Sequence, residues 1–90
     1  MAIIIYTTSF CPYCDRAKLL LSSKKVSYQT IDITDDPKER QLLLEKSNGL
    51  RTVPQIFISD KHIGGFDDLR KLELQGRLDH LIEQYKVKAP

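Results

Sequence analysis

Residues Ser9-Phe10-Cys11-Pro12-Tyr13-Cys14, written SFCPYC, hold both cysteines of a 90-residue chain. Just upstream stands Ile3-Ile4-Ile5-Tyr6, a continuous β-branched and aromatic run that suits a strand buried on both faces. Downstream, Ala17, Leu20, Leu21 and Lys24 follow the 3.6-residue period with Leu19 on the flank, so residues from Pro12 to about Lys24 read as a helix. The cysteine pair therefore sits where a strand hands over to a helix. Pro12 suits the first helical position, where no intrahelical N–H bond is lost, and Cys11 becomes the N-cap residue.

That placement has chemical consequences. The free N–H groups of Tyr13 and Cys14 should lie near the Cys11 sulfur, and the positive helix end favours a thiolate over a thiol. A free cysteine has a pKa of ~8.5, and such surroundings lower it. Cys14, one turn further in, should face the same side and be more buried. Cys11 is then placed to attack a disulfide, and Cys14 to resolve the mixed disulfide that results. Pro12 restrains the backbone between them. A Cys-x-x-Cys pair opening a helix within a β-α-β unit reads as a redox motif. An inert buried pair and half a zinc site are the alternatives. Zinc needs two more ligands, and the two histidines, His62 and His80, fall in a short strand and in the last helix, where they read as satisfied or surface groups.

Working outward, Val26, Tyr28, Ile31 and Ile33 alternate with one slip and predict a second strand over 26–33, parallel to the first. Asp36, Pro37 and Glu39 mark the start of a second helix. Leu42, Leu43 and Leu44 give it an apolar face, and Asn48-Gly49 ends it. Gln55–Ile58 and Lys61–Ile63 read as short strands joined by a Ser59-Asp60 hairpin turn, hence antiparallel. From Asp67 the pattern is helical again, through Leu69, Leu72 and Leu74. Gly76 interrupts it before a final helix with Leu78, Leu81, Ile82 and Tyr85. The order βαβαββα plus an extra helix predicts an α/β fold, a four-stranded mixed sheet flanked by helices, in a single domain over 1–90.

Composition narrows the function classes. The chain is 41% hydrophobic and 29% charged, with a formal net charge of +2, which is too weak to imply a nucleic-acid or membrane-surface partner. No apolar run approaches the ~18 residues of a membrane span. The opening MAIIIYTTSF is short and lacks a basic leader, so the expected compartment is the cytoplasm. There, a close cysteine pair is more often catalytic or metal-binding than a structural staple.

Cys11-Pro12-Tyr13-Cys14, Thr52-Val53-Pro54 and Gly64-Gly65-Phe66-Asp67-Asp68, in this order and spacing, resemble the dithiol glutaredoxins of the small bacterial type over almost the whole chain. The resemblance implies a thioredoxin-like fold and a glutathione-dependent thiol–disulfide oxidoreductase. Such an enzyme reduces protein disulfides and protein–glutathione mixed disulfides, with glutathione as reductant and no metal. It implies Cys11 and Cys14 as catalytic residues and a cis bond before Pro54 that turns the Val53 N–H and C=O toward the substrate backbone. Glutathione would be held by Tyr13, Arg51, Thr52, Val53, Pro54, Gly65, Phe66, Asp67 and Asp68. In that scheme Arg51, with Gln41 as a weaker candidate, meets the glycyl carboxylate. The amides opening the helix at Phe66–Asp68 meet the γ-glutamyl carboxylate, and Asp68 or Asp67 meets the α-ammonium.

One departure concerns Thr8, which stands where many glutaredoxins carry a lysine, so a cation near the thiolate and the glycyl carboxylate is missing. Asp15 adds a negative charge close by, and Arg16 and Lys18 are expected to point elsewhere. The implied partners are glutathione and disulfide-bonded or glutathionylated proteins, ribonucleotide reductase being a common client, acting on a monomer. Two other readings are a redoxin recharged by thioredoxin reductase and an iron–sulfur cluster carrier. Arg51, Tyr13 and Asp67-Asp68 speak against the first. Pro12, by stiffening the loop, speaks against the second.

Overall fold

A computed structural model describes residues 3–89. Its elements run β1 (Ile3–Thr7), α1 (Pro12–Ser23), β2 (Gln29–Asp32), α2 (Pro37–Lys46), β3 (Gln55–Ile58), β4 (Lys61–Gly64), α3 (Phe66–Leu74) and α4 (Leu78–Gln84). The strands form one sheet in the order β2-β1-β3-β4. β1 pairs with β2 in parallel, and with β3 antiparallel, and β3 pairs with β4 antiparallel.

Alternation along the strands sorts the side chains onto two faces. Ile3, Ile5, Ile56 and Ile58 pack with Ala17, Leu21, Leu69 and Leu78 beneath α1, α3 and α4. On the other face Tyr6 and Phe57 meet Ile33 and Leu43 beneath α2. The rings of Tyr6 and Phe57 meet edge to face at 5.6 Å.

The second strand is shorter than the pattern predicts. Val26 is buried in the larger core, but Ser27 N–H donates to the Lys88 carbonyl at 2.7 Å, so this segment pairs with the C-terminal tail instead of the sheet. The ladder begins only at Gln29, opposite Ile4. α2 runs to Lys46 and is closed by Asn48-Gly49 as predicted, the Gly49 N–H donating to the Leu44 carbonyl at 2.7 Å. Ser47 Oγ donates to the Leu43 carbonyl at 2.7 Å and accepts from Leu50 N–H at 3.2 Å, and Asn48 and Gly49 follow with φ of 59° and 89°. Ser59 and Asp60 have φ of 49° and 67°, the pair of positive values that a two-residue turn needs to match strand twist.

Candidate active site

The first wall of the site is the β1–α1 junction. Cys11 caps α1 in an extended conformation, and its Sγ accepts the Cys14 N–H at 3.0 Å. Of the two amides expected near the sulfur, the structure gives this bond to Cys14 alone. Cys11 and Cys14 are joined as a disulfide with Cα atoms 5.1 Å apart. Cys14 is buried, whereas Cys11 is partly exposed, so one sulfur is accessible and the other lies behind it. The approach loop is tied down from the side. Ser9 N–H donates to Thr34 Oγ1 at 2.9 Å, and Thr34 N–H donates to Asp32 Oδ1 at 2.8 Å. The Thr34 hydroxyl first, and then its amide, hold the Asp32 carboxyl below the usual carboxylate value.

The second wall is the turn before β3. Val53–Pro54 is cis. Gln55 is buried, and its Nε2 donates to both the Thr52 carbonyl and Thr52 Oγ1 at 3.1 Å. Gln55 Oε1 lies 2.7 Å from His62 Nε2. The His62 ring in turn stacks against Phe57 at 4.9 Å.

The third wall is the start of α3. A Cβ on Gly65 would stand 3.4 Å from the Pro54 carbonyl oxygen, which places the two loops side by side. Asp68 Oδ2 accepts the Gly65 N–H at 3.0 Å, which occupies one carboxylate oxygen in capping its own helix. Asp67 is exposed. The rings of Tyr13 and Phe66 lie 6.2 Å apart and bridge this wall to the first. Arg16 does not point away from the site as expected. Its guanidinium sits 5.1 Å from the Tyr13 ring centroid, a cation–π distance. Lys18 reaches Asp15 at 3.9 Å.

The structure thus brings together Cys11, Cys14, Tyr13, Gly65, Phe66 and Pro54, with Thr52 and Val53 alongside. Arg51, next to Thr52, lies on the α2 side of this turn. With Arg40, Ile33, Leu43, Leu44 and Leu50 it lines a cavity of about 110 Å3. Arg40 also donates to the Thr34 carbonyl at 3.3 Å, which ties α2 to the loop behind the cysteines. Gln41 is exposed on α2, and His80 is exposed on α4. Among the described residues no group of three or more His, Cys, Asp or Glu side chains is placed to hold a metal ion.

Gln55, Thr34, Arg16 and Arg40 were not marked as site residues by the sequence. Only Gln55 carried a signal: a glutamine opening the otherwise apolar run Gln55-Ile56-Phe57-Ile58 must find buried partners.

The glutaredoxin family model matches residues 3–63. Glutaredoxin 1 of Rickettsia prowazekii (strain Madrid E) is 51% identical over 82 residues, spanning 90% of this chain and 86% of that protein. Glutaredoxin 3 of Escherichia coli (strain K12) is 52% identical over 79 residues, spanning 88% and 94%. Among solved structures, a buckwheat glutaredoxin–glutathione complex superposes with a TM-score of 0.84 at 31% identity, covering 97% of this chain and 81% of that one. The fold is accordingly the thioredoxin-like α/β arrangement. This chain belongs to the glutaredoxin family and is a thiol–disulfide oxidoreductase.

Proposed function

We propose that the chain reduces protein–glutathione mixed disulfides and protein disulfides with glutathione as the electron donor. The observation that carries this reading is the convergence of three loops on one partly exposed cysteine: the Cys11 cap, the Thr52–Pro54 turn and the Gly65–Asp68 helix start. The similarity to a glutaredoxin solved with glutathione supports it.

The donor set fits a charged tripeptide. The first N–H groups of α3 suit a carboxylate, Asp67 and the free oxygen of Asp68 suit an ammonium, and Arg51 suits a second carboxylate. Tyr13 and Phe66 offer ring faces along the way.

In the reduced enzyme the Cys14 amide and the end of α1 stabilise the Cys11 thiolate. Cys11 attacks the glutathione sulfur of a mixed disulfide. The bond from Cys11 to that sulfur forms, the bond between it and the protein's sulfur breaks, and the protein thiolate leaves and takes a proton. A glutathione thiolate then attacks the same sulfur, giving glutathione disulfide and free Cys11. With a protein disulfide, Cys11 first becomes linked to one client sulfur. Cys14 then attacks Cys11, releasing the second client thiol and leaving the Cys11–Cys14 disulfide, which two glutathione molecules reduce. We extend the reading to a monomer working in the cytoplasm on such clients, ribonucleotide reductase among them.

The test is a coupled assay with glutathione, glutathione reductase and NADPH. Wild type should be active, Cys11→Ser inactive, and Cys14→Ser active on a glutathionylated substrate but not on a protein disulfide. A wild type silent here yet active with thioredoxin reductase would replace the reading with that of a redoxin.

A further inference from the structure

His62 lies on β4, outside the three walls of the site, yet it is linked to the second wall through one buried side chain. The orientation of Gln55 can be worked out from its partners. The Thr52 carbonyl only accepts hydrogen bonds, so the end of Gln55 that faces it at 3.1 Å is the Nε2 donor. The other end, Oε1, therefore faces His62, and at 2.7 Å it accepts from His62 Nε2–H. The direction of donation is fixed along the whole chain: His62 gives to Gln55, and Gln55 gives to Thr52. Both the neutral ring protonated on Nε2 and the imidazolium carry that hydrogen, so either form makes the link.

The Thr52 carbonyl shares a peptide plane with the Val53 N–H. That bond is trans, so the two groups point in opposite directions. Pinning the carbonyl inward onto Gln55 turns the Val53 N–H outward. Among the described residues the Val53 N–H has no backbone acceptor. It is a donor held ready and aimed away from the core.

We propose that His62 is a positioning residue for the oxidoreductase reaction, acting through Gln55 to fix the Thr52–Val53 peptide plane so that the Val53 N–H meets the backbone of the incoming disulfide. The proposal rests on the reading that a peptide-like disulfide docks beside Val53. Two features make the link stiff. Gln55 is buried and has both ends of its amide occupied, and the His62 ring is clamped from one side by Phe57 at 4.9 Å. Without the His62 donor, Gln55 Oε1 loses its partner in a buried place, and the side chain is free to swing away from Thr52.

Two substitutions separate positioning from simple packing. His62→Phe keeps an aromatic ring against Phe57 but removes the donor. His62→Gln loses the stacked ring but restores an N–H toward Gln55 Oε1. The measurements are KM and kcat for a glutathionylated peptide, together with the amide 15N and 1H shifts of Val53. His62→Phe should raise KM about five-fold with kcat changed less than two-fold, the size of one lost hydrogen bond. It should also move the Val53 amide resonance, and His62→Gln should reverse both effects. If His62→Phe leaves KM and the Val53 resonance unchanged, or if His62→Gln behaves no better than His62→Phe, the positioning role is wrong. A wild type inactive with glutathione would overturn the function proposed above but not this linkage, because the Val53 resonance reports it without turnover.

Discussion

Replacing Gly64 by alanine probes how the helix start bearing Asp67 and Asp68 is built. Gly64 has φ of +120°, a region that only glycine occupies without strain. A Cβ at this position would also overlap the Asp68 carboxylate. The cost therefore has two parts. Holding a non-glycine residue in such a conformation costs about 1–3 kcal/mol. Driving Asp68 aside breaks its 3.0 Å bond to the Gly65 N–H, worth about 1 kcal/mol at an exposed helix start. Together they predict a destabilisation of about 2–4 kcal/mol, a fall in melting temperature of roughly 10–25 °C for a domain of this size. The assay is a double-mutant cycle of Gly64→Ala and Asp68→Ala followed by thermal unfolding. In the Asp68→Ala background the carboxylate overlap and the capping bond are gone and only the Cβ contact at 3.0 Å remains, so Gly64→Ala should cost about 1 kcal/mol less than in wild type. A Gly64→Ala protein within about 0.5 kcal/mol of wild type, or two substitutions that simply add, would refute the reasoning.

Other outcomes follow from separate contacts. Lys24 joins the end of α1 to Glu73 at 2.6 Å and Asp79 at 3.1 Å, and the bond to Glu73, ahead of the other causes, raises its pKa above 10.5. Screening by water limits the worth of this clamp to about 0.5–1 kcal/mol. A raised pKa places that stability below pH 10.5 and removes it as pH climbs through the higher folded value, so wild type and Lys24→Met should differ in melting temperature at pH 7 and converge as pH is raised above 10.5. Asp32 has the opposite sign: its lowered pKa gives stability that is present above pH 3.8 and is lost as pH falls through the folded value. Thr34→Val should move the Asp32 carboxyl titration, followed by NMR, back up toward 3.8, and an unmoved curve would remove Thr34 as the cause. Phe10 is 97% exposed beside Cys11, so Phe10→Ser should leave the unfolding free energy within about 0.5 kcal/mol of wild type in denaturant titration.

Much of this architecture can be read from local chemistry. Asp36, Pro37 and Glu39 announced α2 because capping is decided within four residues, and the structure has Asp36 accepting from Glu39 N–H at 3.1 Å. The Cys11 cap follows from the same logic. What stayed hidden depends on residues far apart in sequence. The strand predicted from Val26 shortened because Ser27 found Lys88. Arg16 was expected to point away, since nothing in the sequence says that Tyr13 turns toward Phe66 and presents a ring to it. His62 read as a satisfied histidine, which it is, but its partner Gln55 could be named only once the β3–β4 ladder placed Phe57 opposite His62. Arg51 matched a motif by position, while the structure adds Arg40 beside it from another element.

The sheet divides its interior unequally, and this bears on how the molecule breathes. Among the described residues the face under α1, α3 and α4 holds nine buried residues, whereas the face under α2 holds four, of which α2 supplies Leu43. A helix seated on the thinner layer by Leu43 alone opens at a lower free energy than α1, which buries three side chains, and its amides exchange with solvent before those of α1. Such an opening lifts away Arg40 and Gln41 while the dithiol stays rooted in the thicker layer through Cys14, Ala17 and Leu21. Helix α2 and the redox centre therefore belong to separate cooperative units, and the first can be loosened or redesigned without melting the second.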